Sequence, residues 1–121
     1  MIPEVIRMEK KVMQTYLYDF YGDLLTEHQR NVYEAFVLDD LSLSEIAEVE
    51  GISRQGVYDL VKRCDRILEG YEQKLHLLAR FLKNKEKIMR IQALSRNYQS
   101  GNEAQAMAEI EVISSEILEE L

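Results

Sequence analysis

Proline is nearly absent from this chain of 121 residues, and its single copy is Pro3. Inside a helix, a proline removes a backbone hydrogen bond and clashes with the preceding turn, so the chain beyond position 3 carries no such interruption. Glycine occurs five times, and 46% of the residues are hydrophobic, which is enough to form a core. The sequence therefore predicts an all-α fold.

The reactive side chains argue against an enzyme or a metalloprotein. Cys64 is the only cysteine, so no internal disulfide framework is expected. It falls on the apolar face of a predicted helix, and Ser53 has no histidine near it in the sequence, so no catalytic residue is expected. Two histidines without a cysteine pair predict neither a metal site nor another cofactor. No signal core or membrane-length apolar run is visible, which predicts a cytoplasmic protein without a membrane partner.

Helical spacing of apolar residues begins at about residues 4–24. The predicted buried face is widened by Leu17 and Tyr21, and Gly22 and Asp23 mark the end of the segment. Steps of three and four residues define that face, which comprises Ile6, Val12, Met13, Tyr16, Phe20 and Leu24.

Two capping boxes mark the next two helices. Thr26 and Gln29 stand three residues apart, as do Ser42 and Glu45, and such pairs satisfy the free backbone donors of a helix start reciprocally. Gly51 follows the second of these helices directly, where a left-handed residue usually ends a helix.

A fourth helix is predicted to begin at Ser53 as N-cap. Its apolar stripe continues past residue 68 towards Leu82, so the helix is predicted to continue or kink at Gly70. Two more helices are expected over about 84–98 and 103–120, separated by the linker NYQSGN. The resulting division is 1–68 for the N-terminal helices, and 69–121 for a long helical extension that mediates dimerisation or partner binding.

Residues 42–63, SLSEIAEVEGISRQGVYDLVKR, meet the requirements of a helix-turn-helix: a short first helix, a glycine turn and a presented second helix. Ile52 and Val57 are expected to anchor the turn in the core. Arginine and glutamine can pair with guanine and adenine edges, and basic or hydroxyl side chains can hold phosphates. The predicted DNA-binding residues are Ser53, Arg54, Gln55, Tyr58, Asp59, Lys62, Arg63 and Arg66.

The region LTEHQRNVYEAFVLDDLSLSEIAEVEGISRQGVYDLVKRCDRIL resembles region 4 of bacterial sigma factors, which binds DNA. Together with YDFYGDLLTEHQ at 18–29, SRQGVYD at 53–59 and ILEGYEQKLHL at 67–77, it looks like the YlxM family over about residues 12–82. These are small bacterial helix-turn-helix proteins linked to the signal recognition particle. The resemblance implies a regulatory DNA-binding protein. The alternative is an accessory factor that binds RNA or protein of that particle without sequence-specific DNA binding.

Charge is distributed unevenly along the chain. The net charge of −7 opposes binding to nucleic acid in general, yet residues 102–121 hold six of the 22 acids and no base. The preceding stretch, 80–96, is basic and gives a possible second contact for nucleic acid or a partner at Arg80, Lys83, Lys87 and Arg90. The acidic tail 102–121 is expected either to form a homodimer through its apolar seam or to fold onto the basic stretch and mask it.

Overall fold

A computed structural model describes residues 9–121, and within that range the chain is helical without any strand, as predicted. A short 3-10 turn, Gly22–Leu24, follows the first helix. The six α-helices of this range are α1 Lys10–Tyr21, α2 Glu27–Val37, α3 Leu43–Glu50, α4 Arg54–Leu75, α5 Leu77–Asn97 and α6 Glu103–Glu120.

The chain divides into two compact units, one ending at Leu78 and the other comprising Ala79–Leu121. In the first unit, α4 packs against α1, α2 and α3. The buried apolar side chains of this unit are Leu17, Tyr21, Leu25, Val32, Tyr33, Val37, Ile46, Val57, Val61, Cys64, Leu68 and Leu78.

Both predicted capping boxes are confirmed. At the start of α2, the amide of Gln29 donates to Thr26 Oγ1 over 3.2 Å, and the amide of Thr26 donates to Gln29 Oε1 over 2.9 Å. At the start of α3, the corresponding distances between Ser42 and Glu45 are 3.1 Å and 2.9 Å. These reciprocal bonds fix where each helix begins, because they satisfy amides that have no partner within the helix.

The turn between α3 and α4 has the predicted backbone. Gly51 ends α3 with a φ of 71°, a left-handed conformation that disfavours residues with a Cβ. Ser53 caps α4 by accepting a hydrogen bond from the amide of Gly56 over 2.9 Å. Val57 is fully buried as expected, but Ile52 is 37% exposed, so the prediction that it anchors the core was wrong. Its side chain lies at the surface of the turn, where it packs beside Gly56.

The buried face of α1 differs from the predicted one. Gln14, Leu17 and Tyr21 are buried, whereas Val12 and Leu24 are 44% and 56% exposed. A buried hydrogen bond accounts for this difference. The carboxylate of Asp65 on α4 accepts from Gln14 Nε2 over 2.9 Å. α1 is therefore rotated so that a glutamine faces the core. Ile6, the first residue of the predicted face, lies outside the described residues.

A tertiary contact also accompanies the boundary between α4 and α5. α4 passes through Gly70 without interruption and ends at His76, whose φ is 56°. The hydroxyl of Tyr21 donates to Glu72 Oε1 over 2.5 Å and accepts from the amide of Leu77 over 3.1 Å. The amide of Leu78 donates to the same Glu72 oxygen over 2.9 Å. These contacts satisfy the first amides of α5, so the apolar stripe that runs on to Leu82 belongs to two helices.

In the second unit, the acidic helix α6 pairs with the basic helix α5. Lys83 Nζ lies 2.8 Å from Glu120 Oε1, and Lys87 Nζ lies 3.7 Å from the same oxygen. Arg90 Nη2 lies 3.1 Å from Glu109 Oε2. Because the lower-numbered base pairs with the higher-numbered acid, the two helices are antiparallel. The tail therefore contacts the basic stretch within the chain.

Substituting alanine for two of the glycines should have opposite effects on stability. A Cβ added at Gly51 or at Gly70 would meet no atom within 4 Å, so packing contributes little at either position. Gly51→Ala should lower the free energy of unfolding by about 1 kcal/mol because alanine is strained at positive φ. Gly70→Ala should raise it by about 1 kcal/mol because glycine is a poor helix residue. Urea denaturation followed by circular dichroism measures both, and equal signs would contradict the assigned turn.

The Asp65 contact gives a second stability prediction. Tyr33 is fully buried, and its hydroxyl donates to Asp65 Oδ1 over 2.6 Å. Tyr33→Phe removes that donor while keeping the ring, and should cost roughly 2 kcal/mol, as expected when a buried carboxyl loses a hydrogen bond. Tyr98→Phe, at a residue that is 51% exposed, is the control and should be neutral. Equal urea midpoints for the two variants would show that the bond contributes nothing.

Candidate nucleic-acid interface

The start of α4 presents three adjacent side chains to solvent. Ser53 is held in the cap, and Arg54 and Gln55 follow in the first turn, where both are exposed. Tyr58, one turn further, is 38% exposed. Arg54 forms no ion pair with any residue in the described range, so its guanidinium is available to a ligand.

The other predicted residues continue this surface in two rows along α4. One row contains Tyr58, Lys62 and Arg66 at four-residue steps, and the other contains Gln55, Asp59 and Arg63. All of them are exposed except Lys62, which is half-buried. Since residues four apart lie on the same side of a helix, the structure brings the predicted set together on one helix surface.

Internal contacts restrict two of these side chains. Gln55 Nε2 donates to Asp59 Oδ1 over 2.9 Å, which uses one N–H of the glutamine amide. The bond also holds a negative charge within this otherwise basic surface. Lys62 Nζ lies 5.5 Å from the centroid of the Tyr58 ring, within the range of a cation–π contact. The tyrosine ring and the lysine therefore form a single packed pair next to Arg54.

Sequence reasoning did not include one lysine that extends this surface. Lys10, the first residue of α1, lines a groove of about 280 Å³ together with Tyr58 and Lys62. Lys11 follows it, but its ammonium is already engaged by Asp40 and Phe36. The neighbouring ammonium of Lys62, followed by burial, lowers the pKa of Lys10 from its ordinary value. The only available signal in the sequence was a lysine pair at the start of an amphipathic helix. The contact of Lys10 with a residue 52 positions away could not be read from it.

The second predicted set lies in the other compact unit. Lys83, Lys87 and Arg90 are paired with the glutamates of α6, while Arg80 is exposed on α5. Three of its four basic side chains are therefore paired with two glutamates of the acidic tail. The structure does not bring this set into the unit that contains the start of α4.

Cys64 does not have the surroundings of a nucleophile. It is fully buried among the apolar residues of the first unit, and this burial raises the pKa of its thiol to about 11. A thiol with such a pKa carries almost no thiolate near neutral pH. Among residues 9–121 there is no group of three or more histidine, cysteine or acidic side chains that could hold a metal ion. Every helix of this range is too short or too polar to cross a membrane.

Comparison with known proteins places this geometry in a family context. Residues 8–110 match the family described as "Putative helix-turn-helix protein, YlxM / p13 like". The UPF0122 protein YlxM of Bacillus subtilis is 42% identical over 102 residues, which cover 84% of this chain and 93% of that protein. A UPF0122 protein of Halalkalibacterium halodurans is 43% identical over 102 residues, covering 84% and 94% respectively. One from Shouchella clausii is 53% identical over 74 residues, which are 61% of this chain and 68% of that protein.

Proposed function

This chain belongs to the UPF0122 family of YlxM / p13-like helix-turn-helix proteins, and on that premise we propose that it is a regulatory protein that binds duplex DNA through α4. The observation that carries the proposal is the exposed start of α4, where Arg54, Gln55 and Tyr58 project next to one another within the first two turns. Residues at the start of the second helix of this motif reach base edges in the major groove. In this proposal the protein binds DNA in the cytoplasm, catalyses no reaction and uses no cofactor.

Each residue of this surface has a proposed part. Arg54 would contact guanine, Gln55 adenine and Asp59 the amino group of cytosine, because these side chains match the groups on those base edges. Tyr58 would lie against the groove wall. The phosphates would be held by Ser53, Lys62, Arg63 and Arg66, which position the helix without reading sequence.

The bond between Gln55 and Asp59 limits the strength of this binding. The bond takes one of the two hydrogens of Gln55 Nε2 and holds the amide towards Asp59, and the carboxylate of Asp59 repels nearby phosphates. With a net charge of −7 on the whole chain, binding should be weak and strongly dependent on salt. A partner copy that supplies a second α4 would compensate for this weakness.

The second unit supports a homodimer. Two large apolar side chains of α6, Met107 and Leu118, are 64% and 70% exposed, and Leu121, which follows the helix, is 86% exposed. Positions separated by 11 residues lie on one side of a helix, where Glu111 and Ser114 stand between them, so the described chain leaves a partly apolar side of α6 uncovered. We infer that a second copy covers it, which would give two recognition helices per molecule, as two-fold symmetric operators require.

A second candidate function is an accessory factor of the signal recognition particle, acting on its RNA or its proteins. The observation that favours it is the paired helix surface of the second unit, where Lys83, Lys87 and Arg90 could exchange their glutamate partners for phosphates or acidic groups. Such binding would use α5 and would not depend on Arg54.

Fluorescence anisotropy separates these two functions. Random-sequence duplex DNA should bind the wild-type protein at low salt, with an affinity that falls steeply as salt rises. Arg54→Ala should weaken binding about tenfold because a guanidinium at the groove is lost. Asp59→Asn should strengthen it several-fold by removing a repulsive charge. Each variant has a matched control that removes a charge of the same sign further along α4, away from the proposed contact. Lys74→Ala is the control for Arg54→Ala, and Glu69→Gln is the control for Asp59→Asn.

The same titration with the RNA and the proteins of the signal recognition particle tests the second candidate. The double variant Lys83→Glu and Lys87→Glu should abolish capture if α5 is the binding surface, and Arg54→Ala should leave it unchanged. Failure of the wild-type protein to bind DNA at any salt concentration would end the first proposal.

Light scattering tests the dimer. The wild-type protein should show twice the mass of the 14.2 kDa chain at micromolar concentration. Leu118→Glu should reduce that mass to one chain, because a charge cannot be buried in an apolar interface without a large cost. Val112→Glu, at another exposed apolar position of α6, is a control for added charge on the same helix. A monomer in the wild-type protein would overturn the inference.

A further inference from the structure

Two ammonium groups lie at one groove of the first unit. Lys10, the first residue of α1, and Lys62 on α4 both line the groove beside Tyr58. Neither forms an ion pair with a carboxylate among residues 9–121. Like charges at one groove repel each other, so this arrangement favours an anion between them.

Asp65 offsets only one of the two positive charges. Its carboxylate lines the groove, accepts hydrogen bonds from the uncharged donors of Gln14 and Tyr33 through Oδ1, and belongs to a residue that is only 7% exposed. Lys11 is different, because its ammonium contacts Asp40, donates to the carbonyl oxygen of Phe36 over 3.0 Å and lies over the Phe36 ring. The ammonium of Lys11 is therefore engaged by other groups of the chain, whereas the ammonium of Lys10 has no carboxylate partner among the described residues.

The groove itself is suited to a group larger than a water molecule. Its volume is about 280 Å³, with apolar walls from Phe36, Leu43 and Val61. At its floor, Gln14 is 4% exposed and its Oε1 has no hydrogen-bond partner within the described residues. The Gln14 oxygen is an acceptor and cannot bind a phosphate oxygen, so the two ammonium groups are what attracts an anion to this groove.

We propose that Lys10 and Lys62 bind a phosphoryl group between them at the opening of this groove. Phosphate is the anion that two lysine ammoniums recognise most readily as point charges. The phosphoryl group can belong to the backbone of duplex DNA or to a small phosphate compound, and in the first case the proposal deepens the DNA interface and rests on it. On DNA, α1 becomes a second contact element that clamps the strand next to the Tyr58 ring.

The test uses inorganic phosphate and duplex DNA as separate probes of the whole chain. Titration with inorganic phosphate, followed by amide chemical shifts, should perturb Lys10, Tyr58 and Lys62 in the wild-type protein. Lys10→Gln should reduce the affinity for phosphate at least fivefold. Lys11→Gln is the matched control: it removes the same charge from the next residue, where the ammonium is already engaged, and should bind phosphate normally.

The DNA arm identifies the source of the phosphoryl group. If it belongs to DNA, Lys10→Gln should lower the slope of log affinity against log salt by about one, and Lys11→Gln should not. An unchanged slope together with normal phosphate binding assigns the site to a small phosphate compound. If phosphate perturbs none of the three amides and Lys10→Gln leaves the slope unchanged, the site does not exist.

These results keep the two proposals apart. DNA binding that depends on Arg54 but not on Lys10, without any phosphate effect, overturns the phosphate site and leaves the DNA interface standing. Binding of phosphate at the lysine pair by a protein that does not bind DNA supports the site and removes the DNA interface.

Discussion

The arrangement of the first unit depends on one buried carboxyl group. Asp65 lies in the apolar stripe of α4 and accepts hydrogen bonds from Gln14 of α1 and from Tyr33 of α2. A buried polar group without partners is costly, so the three helices must meet in the register that supplies both donors. Burial and the bond to Asp65 raise the pKa of Tyr33 far above its ordinary value, so its hydroxyl remains a donor. The rotation of α1 follows from this contact, and the position of Lys10 next to Lys62 follows from the rotation.

A second polar contact on α4 has a similar effect near the C-terminal end of the helix. Glu72 accepts from the hydroxyl of Tyr21, and both groups receive backbone amides at the start of α5. Burial and the bond to Glu72 raise the pKa of Tyr21 to about 12, so this link persists across ordinary pH. α4 is therefore held at its middle and near its C-terminal end by hydrogen bonds to α1. The inner side of α4 is fixed, and its outer side retains the charges that a ligand can use.

The balance between paired and unpaired charges matters more for function than the net charge of −7. In the second unit, two glutamates of α6 pair with three of the four predicted basic contacts on α5. In the first unit, Arg54 has no acidic partner in the described range, and Lys10 and Lys62 face each other. An acidic protein can thus carry a local positive surface, because Coulomb interactions between exposed charges are screened within about 10 Å at moderate salt. On the surface of α4 that contains Arg54, Asp59 adds a negative charge, which its bond to Gln55 holds in place.

The sequence by itself determined the features that depend on residues within four positions of each other. Both capping boxes, the left-handed Gly51, the Ser53 cap and the exposure of Arg54, Gln55 and Tyr58 on α4 belong to this group. A polar Asp65 within an apolar stripe was the one visible signal of a buried contact, but its partners could not be identified. The bonds from Gln14 to Asp65 and from Tyr21 to Glu72 each span 51 residues, and no local pattern encodes such a pairing. Only the tertiary structure therefore decided which face of α1 is buried, where α4 ends and which lysine remains unpaired, because each depends on a donor and an acceptor from different helices.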